Sequence, residues 1–154
     1  MFQISPLPVS RFAHLFGKSD EELSQLGVTV SVAKPGDRMP CRVSLRDAIS
    51  GERALLLNYE HQPADTPYRS RHAIFVIDGT QEAQLAPGKL PAVFASRQLA
   101  VRAFSEAGCI VAGALTTGED TASAINKLFD NPKAACLHVH NAAYGCYAAR
   151  VDRT

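Results

Sequence analysis

A chain of 154 residues is near the commonest size for one domain and too short for two that would each bury an adequate core. With 46% hydrophobic and 20% charged residues, the composition excludes disorder and fibrous repeats. Sixteen basic against fifteen acidic side chains leave a formal charge of +1, so no overall field draws the chain to nucleic acid or to an anionic membrane.

From the N-terminus, Met1 to Phe16 lacks a basic start followed by an apolar run, and Pro6 and Pro8 interrupt what would be a signal core. The longest apolar stretch, Cys109 to Leu115, is far below the roughly 20 residues of a membrane helix. The expectation is a soluble, cytoplasmic protein of bacterial type whose cysteines, Cys41, Cys109, Cys136 and Cys146, are free thiols.

Ser19 to Glu22 has the Ser-x-x-Glu form of a capping box, Leu23 and Leu26 follow at helical spacing, and Gly27 ends a short helix. Val28 to Ala33 alternates as a strand and stops at the turn Lys34-Pro35-Gly36-Asp37. Arg53 to Glu60 and His72 to Ile77 read as strands of one sheet, with His61 to Arg71 between them as an exposed loop. After a polar connection from Gly79 to Pro91, Leu99 to Phe104 and Cys109 to Leu115 form a strand pair turning near Gly108. Thr117 to Asp120 caps a second helix whose apolar face is Ala122, Ile125, Leu128 and Phe129. Ala135 to His140 and Tyr144 to Val151, linked around Ala142 and Ala143, complete a C-terminal hairpin. The class is α+β over a single domain, 1–154: a mainly antiparallel sheet with two or so short helices.

No phosphate loop, dinucleotide fingerprint, nucleophile elbow, His-Glu-x-x-His or Cys-x-x-Cys is present, so the sequence names no reaction. Chemistry concentrates instead at the C-terminus. On a strand, Cys136, His138 and His140 share one face while Leu137 and Val139 point into apolar packing. Two His at i and i+2 can reach one zinc ion, with Cys146, Cys41 or His72 as further ligands. Cys136 and His140 lie about 13 Å apart by strand rise, so all three in-line residues cannot share an ion. A nucleophilic pair of Cys146 with His138, the ring oriented by Asn141 or Asp47, is a second reading. A third makes these histidines ordinary hydrogen-bonding residues of a half-exposed strand, with Cys146 a small core hydrophobe.

Arginine supplies the other signal. Arg outnumbers Lys eleven to five, and six arginines fall between positions 38 and 71. Arg42, Arg46 and Arg69 with Tyr59 and Tyr68 can line a pocket for an anionic small molecule, joined by Asn141 and Tyr144 of the hairpin. Against this, Arg46-Asp47 and Glu52-Arg53 can form plain surface pairs worth under about 1 kcal/mol each.

The segments Pro40-Cys41-Arg42 with Leu45-Arg46-Asp47, Gly51-Glu52 through Leu55-Leu56-Leu57 to Tyr59, Pro67-Tyr68-Arg69 with Ile74-Phe75-Val76, and His138 through Asn141-Ala142 to Tyr144-Gly145-Cys146-Tyr147 resemble the bacterial domain-of-unknown-function family 1203. The resemblance spans residues 40 to 147 and implies no activity, substrate or cofactor. In the family's pattern a second Cys often stands where Ser44 does, and Arg where His140 does, so the resemblance favours His138, Asn141, Tyr144 and Cys146 as a shared site. It also weakens zinc as a family-wide feature, because Ser and Arg are poor zinc ligands.

The leading expectation is therefore a small-ligand or catalytic pocket built from Arg42 to Arg46, the Tyr68-Arg69 loop and the terminal hairpin. The alternatives are a metal site using His138, His140 and Cys146, and an interaction protein forming a homo-oligomer through strand edges or the 61–71 loop.

Overall fold

The alternating and punctuated segments resolve into eight strands and two α-helices in the computed structural model, which describes residues 1–154. In chain order these are β1 (Phe2–Ser5), α1 (Asp20–Gln25), β2 (Thr29–Val32), β3 (Arg53–Gln62), β4 (Ser70–Ile77), β5 (Gln98–Phe104), β6 (Ile110–Thr117), α2 (Thr121–Phe129), β7 (Cys136–Asn141) and β8 (Tyr147–Arg153). They form a five-stranded sheet in the order β1-β8-β7-β5-β6 and a three-stranded sheet in the order β2-β3-β4. Both are antiparallel, and with two short helices and a β7-β8 hairpin the class is α+β. No helix is long and apolar enough to cross a membrane.

The chain divides into two compact units, one comprising Met1–Ser5, Glu60–His72 and Gln84–Thr154, the other Pro6–Tyr59 and Ala73–Ala83. The first contains the whole five-stranded sheet. Pleating sorts its residues by face. Leu99 and Val101 of β5, Leu137 and Val139 of β7, and Ala149 and Val151 of β8 are fully buried, as α2 buries Ile125, Leu128 and Phe129 in the same unit. The opposite face carries Arg102 and Phe104 of β5 in register with His138 and Cys136 of β7, which in turn pair with Arg150 and Asp152 of β8. A bulge after Val139 skips Ala148 and brings Tyr147 opposite His140. The β5-β6 turn falls at Gly108, whose φ of 80° is open to glycine at little cost.

In the second unit the capping box forms in full: the Ser19 side chain accepts from the Glu22 backbone, and the Glu22 carboxylate accepts from the Ser19 N–H. Leu23 is buried, whereas Leu26 is 56% exposed, because the helix ends one residue before it. Around Pro40–Asp47 the chain folds back on itself, with Leu45 in the left-handed region at φ 51° and the Cys41 thiol accepting from the Ser44 and Ile77 backbone N–H groups.

Three local expectations are revised. Thr117 to Asp120 makes no side-chain cap for α2; a 3₁₀ turn over Gly118–Asp120 leads into it instead. The last strand begins at Tyr147 because a tight turn occupies 142–146, closed by Gly145 N–H to Asn141 C=O at 2.8 Å. β3 runs on through Gln62, so the connection to β4 spans only 63–69. Pro63, which ends the ladder, is the true boundary.

Candidate metal centre

Four of the five histidines, His61, His72, His138 and His140, meet in the first unit. His138 and His140 stand on one face of β7 because they are two residues apart. His61 reaches them because β3 continues past its apolar stretch, and His72 sits near the start of β4. The Nδ1 atoms of His61 and His138 are 3.3 Å apart. One ring nitrogen from each of His61, His138 and His140 lies within 4.8 Å of the other two, and all three residues are buried.

The rings are oriented by groups behind them. His140 Nδ1 lies 2.8 Å from the Gly145 carbonyl oxygen, and since a carbonyl only accepts, Nδ1 carries the proton. Neutral His140 therefore presents Nε2 as a bare lone pair, and that atom is buried without any hydrogen-bond partner. His61 Nε2 lies 2.8 Å from His72 Nδ1. When Nε2 donates there, His61 Nδ1 is a lone pair aimed at His138. Tyr147 stacks on His61 with centroids 5.0 Å apart and planes 14° apart, and Phe104 packs on His138 at 4.6 Å. These aromatic walls fix both rings and keep the local dielectric low.

Burial first, then neighbouring positive charge, keeps the rings neutral. His61 is pushed down to about 3, His138 to about 4 and His140 to about 2. The Gly145 hydrogen bond opposes the shift at His140 but is outweighed by burial. Neutral imidazoles clustered in a buried site are the form in which histidine ligates a metal.

The other residues singled out in the sequence lie elsewhere or are already engaged. Cys146 is not among the converging atoms; its sulfur accepts from Asn141 Nδ2 at 3.4 Å. Burial raises the Cys136 thiol, which disfavours thiolate chemistry. Cys41, Arg42, Arg46, Asp47 and Tyr59 belong to the second unit, and Tyr68, Arg69 and Tyr144 to the first. Arg42 is buried with its guanidinium on the Pro40 carbonyl. Arg46 pairs with Glu52 through both terminal nitrogens at 2.8 Å and holds that carboxyl down to about 2. Arg69 pairs with Glu60 at 2.6 Å, and the Tyr59 hydroxyl accepts from Arg11 at 2.6 Å. Arg53 binds Asp78 and Asp20 rather than Glu52. Tyr68 and Tyr144 are 41% and 92% exposed.

His61 is the member of the cluster that sequence reasoning does not single out. The signal was present: Tyr59-Glu60-His61-Gln62 continues a strand up to Pro63, and a histidine pair flanking one hairpin matches a second pair on another strand.

No curated protein and no solved structure matches the chain. Residues 38–153 match the family described as a protein of unknown function, so the interval that holds all four clustered histidines identifies the chain as a member of DUF1203.

Proposed function

We propose that this protein binds a transition-metal ion, zinc in the first instance, through His61 Nδ1, His138 Nδ1 and His140 Nε2, and uses it to activate a bound water. The observation that carries the reading is that His140 Nε2 is buried without a partner in a group of three buried histidines, each with a ring nitrogen within 4.8 Å of the other two. Leaving such an atom unpaired costs about 1–3 kcal/mol, and a metal removes that cost. The 3.3 Å between His61 and His138 Nδ1 is long for an N–H···N hydrogen bond. It matches the edge of a tetrahedron, about 3.3 Å, for a Zn–N distance of about 2.05 Å.

Three neutral ligands without carboxylate or thiolate leave the ion its full charge and an open fourth position. That combination belongs to centres that lower the pKa of a bound water to about 7, rather than to closed structural sites. Cysteines without disulfides support a reducing, cytoplasmic setting.

Elemental analysis of tag-free protein purified without chelator tests the reading. One zinc or equivalent ion per chain, lost in His140→Asn, is expected; a metal-free wild type that also fails to take up zinc or cobalt on dialysis overturns it.

A further inference from the structure

Arg102 stands directly opposite His138 on the neighbouring strand and on the same sheet face. It makes no hydrogen bond or ion pair to any residue, although it is only partly exposed. The other five arginines of this unit all have partners. Arg69 has Glu60, Arg97 the Val93 carbonyl, Arg150 Asp152, Arg153 three backbone carbonyls, and Arg71 is likewise engaged.

The contrast with Arg150 is the informative one. Both arginines flank His138 in register, one on each side, yet Asp152 neutralises Arg150 while nothing neutralises Arg102. A guanidinium that has lost part of its water and gained no acceptor is unfavourable unless an acceptor arrives from outside. Two of its neighbours on this face are small. Ala100 lies opposite His140, and Gly113 lies opposite Arg102 on the edge strand β6, exposed and without a side chain to cover the guanidinium.

Resting on the metal reading above, we infer that the centre takes a small carboxylate ligand, one oxygen on the metal and the other on the Arg102 guanidinium. A planar, two-oxygen anion satisfies a fork of N–H donors and a cationic metal together, and neither pole alone selects for it. Arg102 is then the specificity-determining residue of the site, because a neutral ligand leaves its charge uncompensated.

The test uses protein loaded with cobalt(II), whose visible absorption reports the fourth ligand, titrated with acetate in wild type, Arg102→Gln and Arg102→Lys. Cobalt content is measured in each, and circular dichroism melts confirm folding. The expected result is one cobalt in all three, an acetate-dependent band shift in wild type, and acetate affinity about tenfold to hundredfold weaker in Arg102→Gln. Arg102→Lys, which keeps the charge but not the fork, falls between. Equal acetate affinity in wild type and Arg102→Gln, or no acetate response in cobalt-loaded wild type, overturns the role of Arg102 while leaving the metal centre standing. Wild type that takes up no cobalt overturns both.

Discussion

The Nδ1 atoms of His61 and His138 face each other at 3.3 Å from strands whose residues are 77 positions apart in sequence. Amide side chains can delete one ring nitrogen and keep the other, since an Asn amide nitrogen reaches the place of Nδ1 and a Gln amide nitrogen that of Nε2. His140→Asn keeps the donor to Gly145 and removes Nε2; His61→Gln keeps the contact to His72 and removes Nδ1. Each is expected to weaken zinc binding by about 100-fold or more, measured by competition with a chromophoric chelator. His140→Asn also removes an unsatisfied buried atom, so the metal-free protein should hold or gain about 1 kcal/mol in urea unfolding. A metal-free protein that loses several kcal/mol in His140→Asn would mean that Nε2 has a structural partner.

His72 tests the support behind the ligands. Its Nδ1 meets the far nitrogen of His61 rather than the centre itself. Removing that contact in His72→Phe leaves the three proposed ligating atoms in place but frees the His61 ring to change tautomer and tilt. Zinc affinity is expected to fall about 10- to 100-fold, and His72→Asn, whose amide can turn either its oxygen or its nitrogen toward the place of Nδ1, should recover most of it. Unchanged affinity in His72→Phe would show that Tyr147 stacking alone orients His61.

The Gly108 turn offers a check on the packing of the same unit. A Cβ at this position would lie 2.3 Å from the Ala64 Cβ, and φ is 80°. Gly108→Ala is therefore expected to cost about 2–4 kcal/mol in urea unfolding, from overlap plus left-handed strain. Adding Ala64→Gly removes the overlap and should recover the larger part, leaving about 1 kcal/mol for the strained φ. No recovery in the double variant would place the whole cost in the backbone.

The sequence was most readable where structure is set locally. The capping box at Ser19 needs only residues three apart, and the shared face of His138 and His140 follows from the two-residue period of a strand. Where long-range pairing decides, the sequence says less. His61 looked like loop because polar residues surround it, and only the ladder to β4, followed by the continuation of β3 to Pro63, makes it a buried strand residue. Cys146 is a candidate ligand from across the hairpin in the sequence, and the fold sets its sulfur against the Asn141 amide. One arginine in an apolar strand carries no signal, and only the β5-β7 register sets Arg102 opposite His138. The arginines of 38–71 had the converse fate: residue type suggested a pocket, and Glu52 and Glu60 had already taken Arg46 and Arg69.

Acid should expose the buried histidines as a group. In the unfolded chain each ring titrates near its ordinary value of about 6.5. In the fold, His61 is held down to about 3, His138 to about 4 and His140 to about 2. Above pH 6.5 neither state binds these protons, so the stability is full. Between about 6.5 and 4 the unfolded chain takes up protons that the fold refuses, and the metal-free protein loses up to about 1.4 kcal/mol per pH unit for each ring. The loss levels off for each ring as pH passes its folded value, first for His138. Urea midpoints at pH 7.5, 6 and 5 should therefore fall progressively, and His140→Asn should show a slope shallower by about one proton. The same shifts govern metal retention. Protons compete for the folded ligands only near pH 4 and below, so zinc should stay bound at pH 5 to folded protein, where ordinary exposed histidines are already protonated. A urea midpoint unchanged between pH 7.5 and 5, with zinc released already at pH 6, would show three solvated rings with ordinary titration and remove the physical basis of the buried centre.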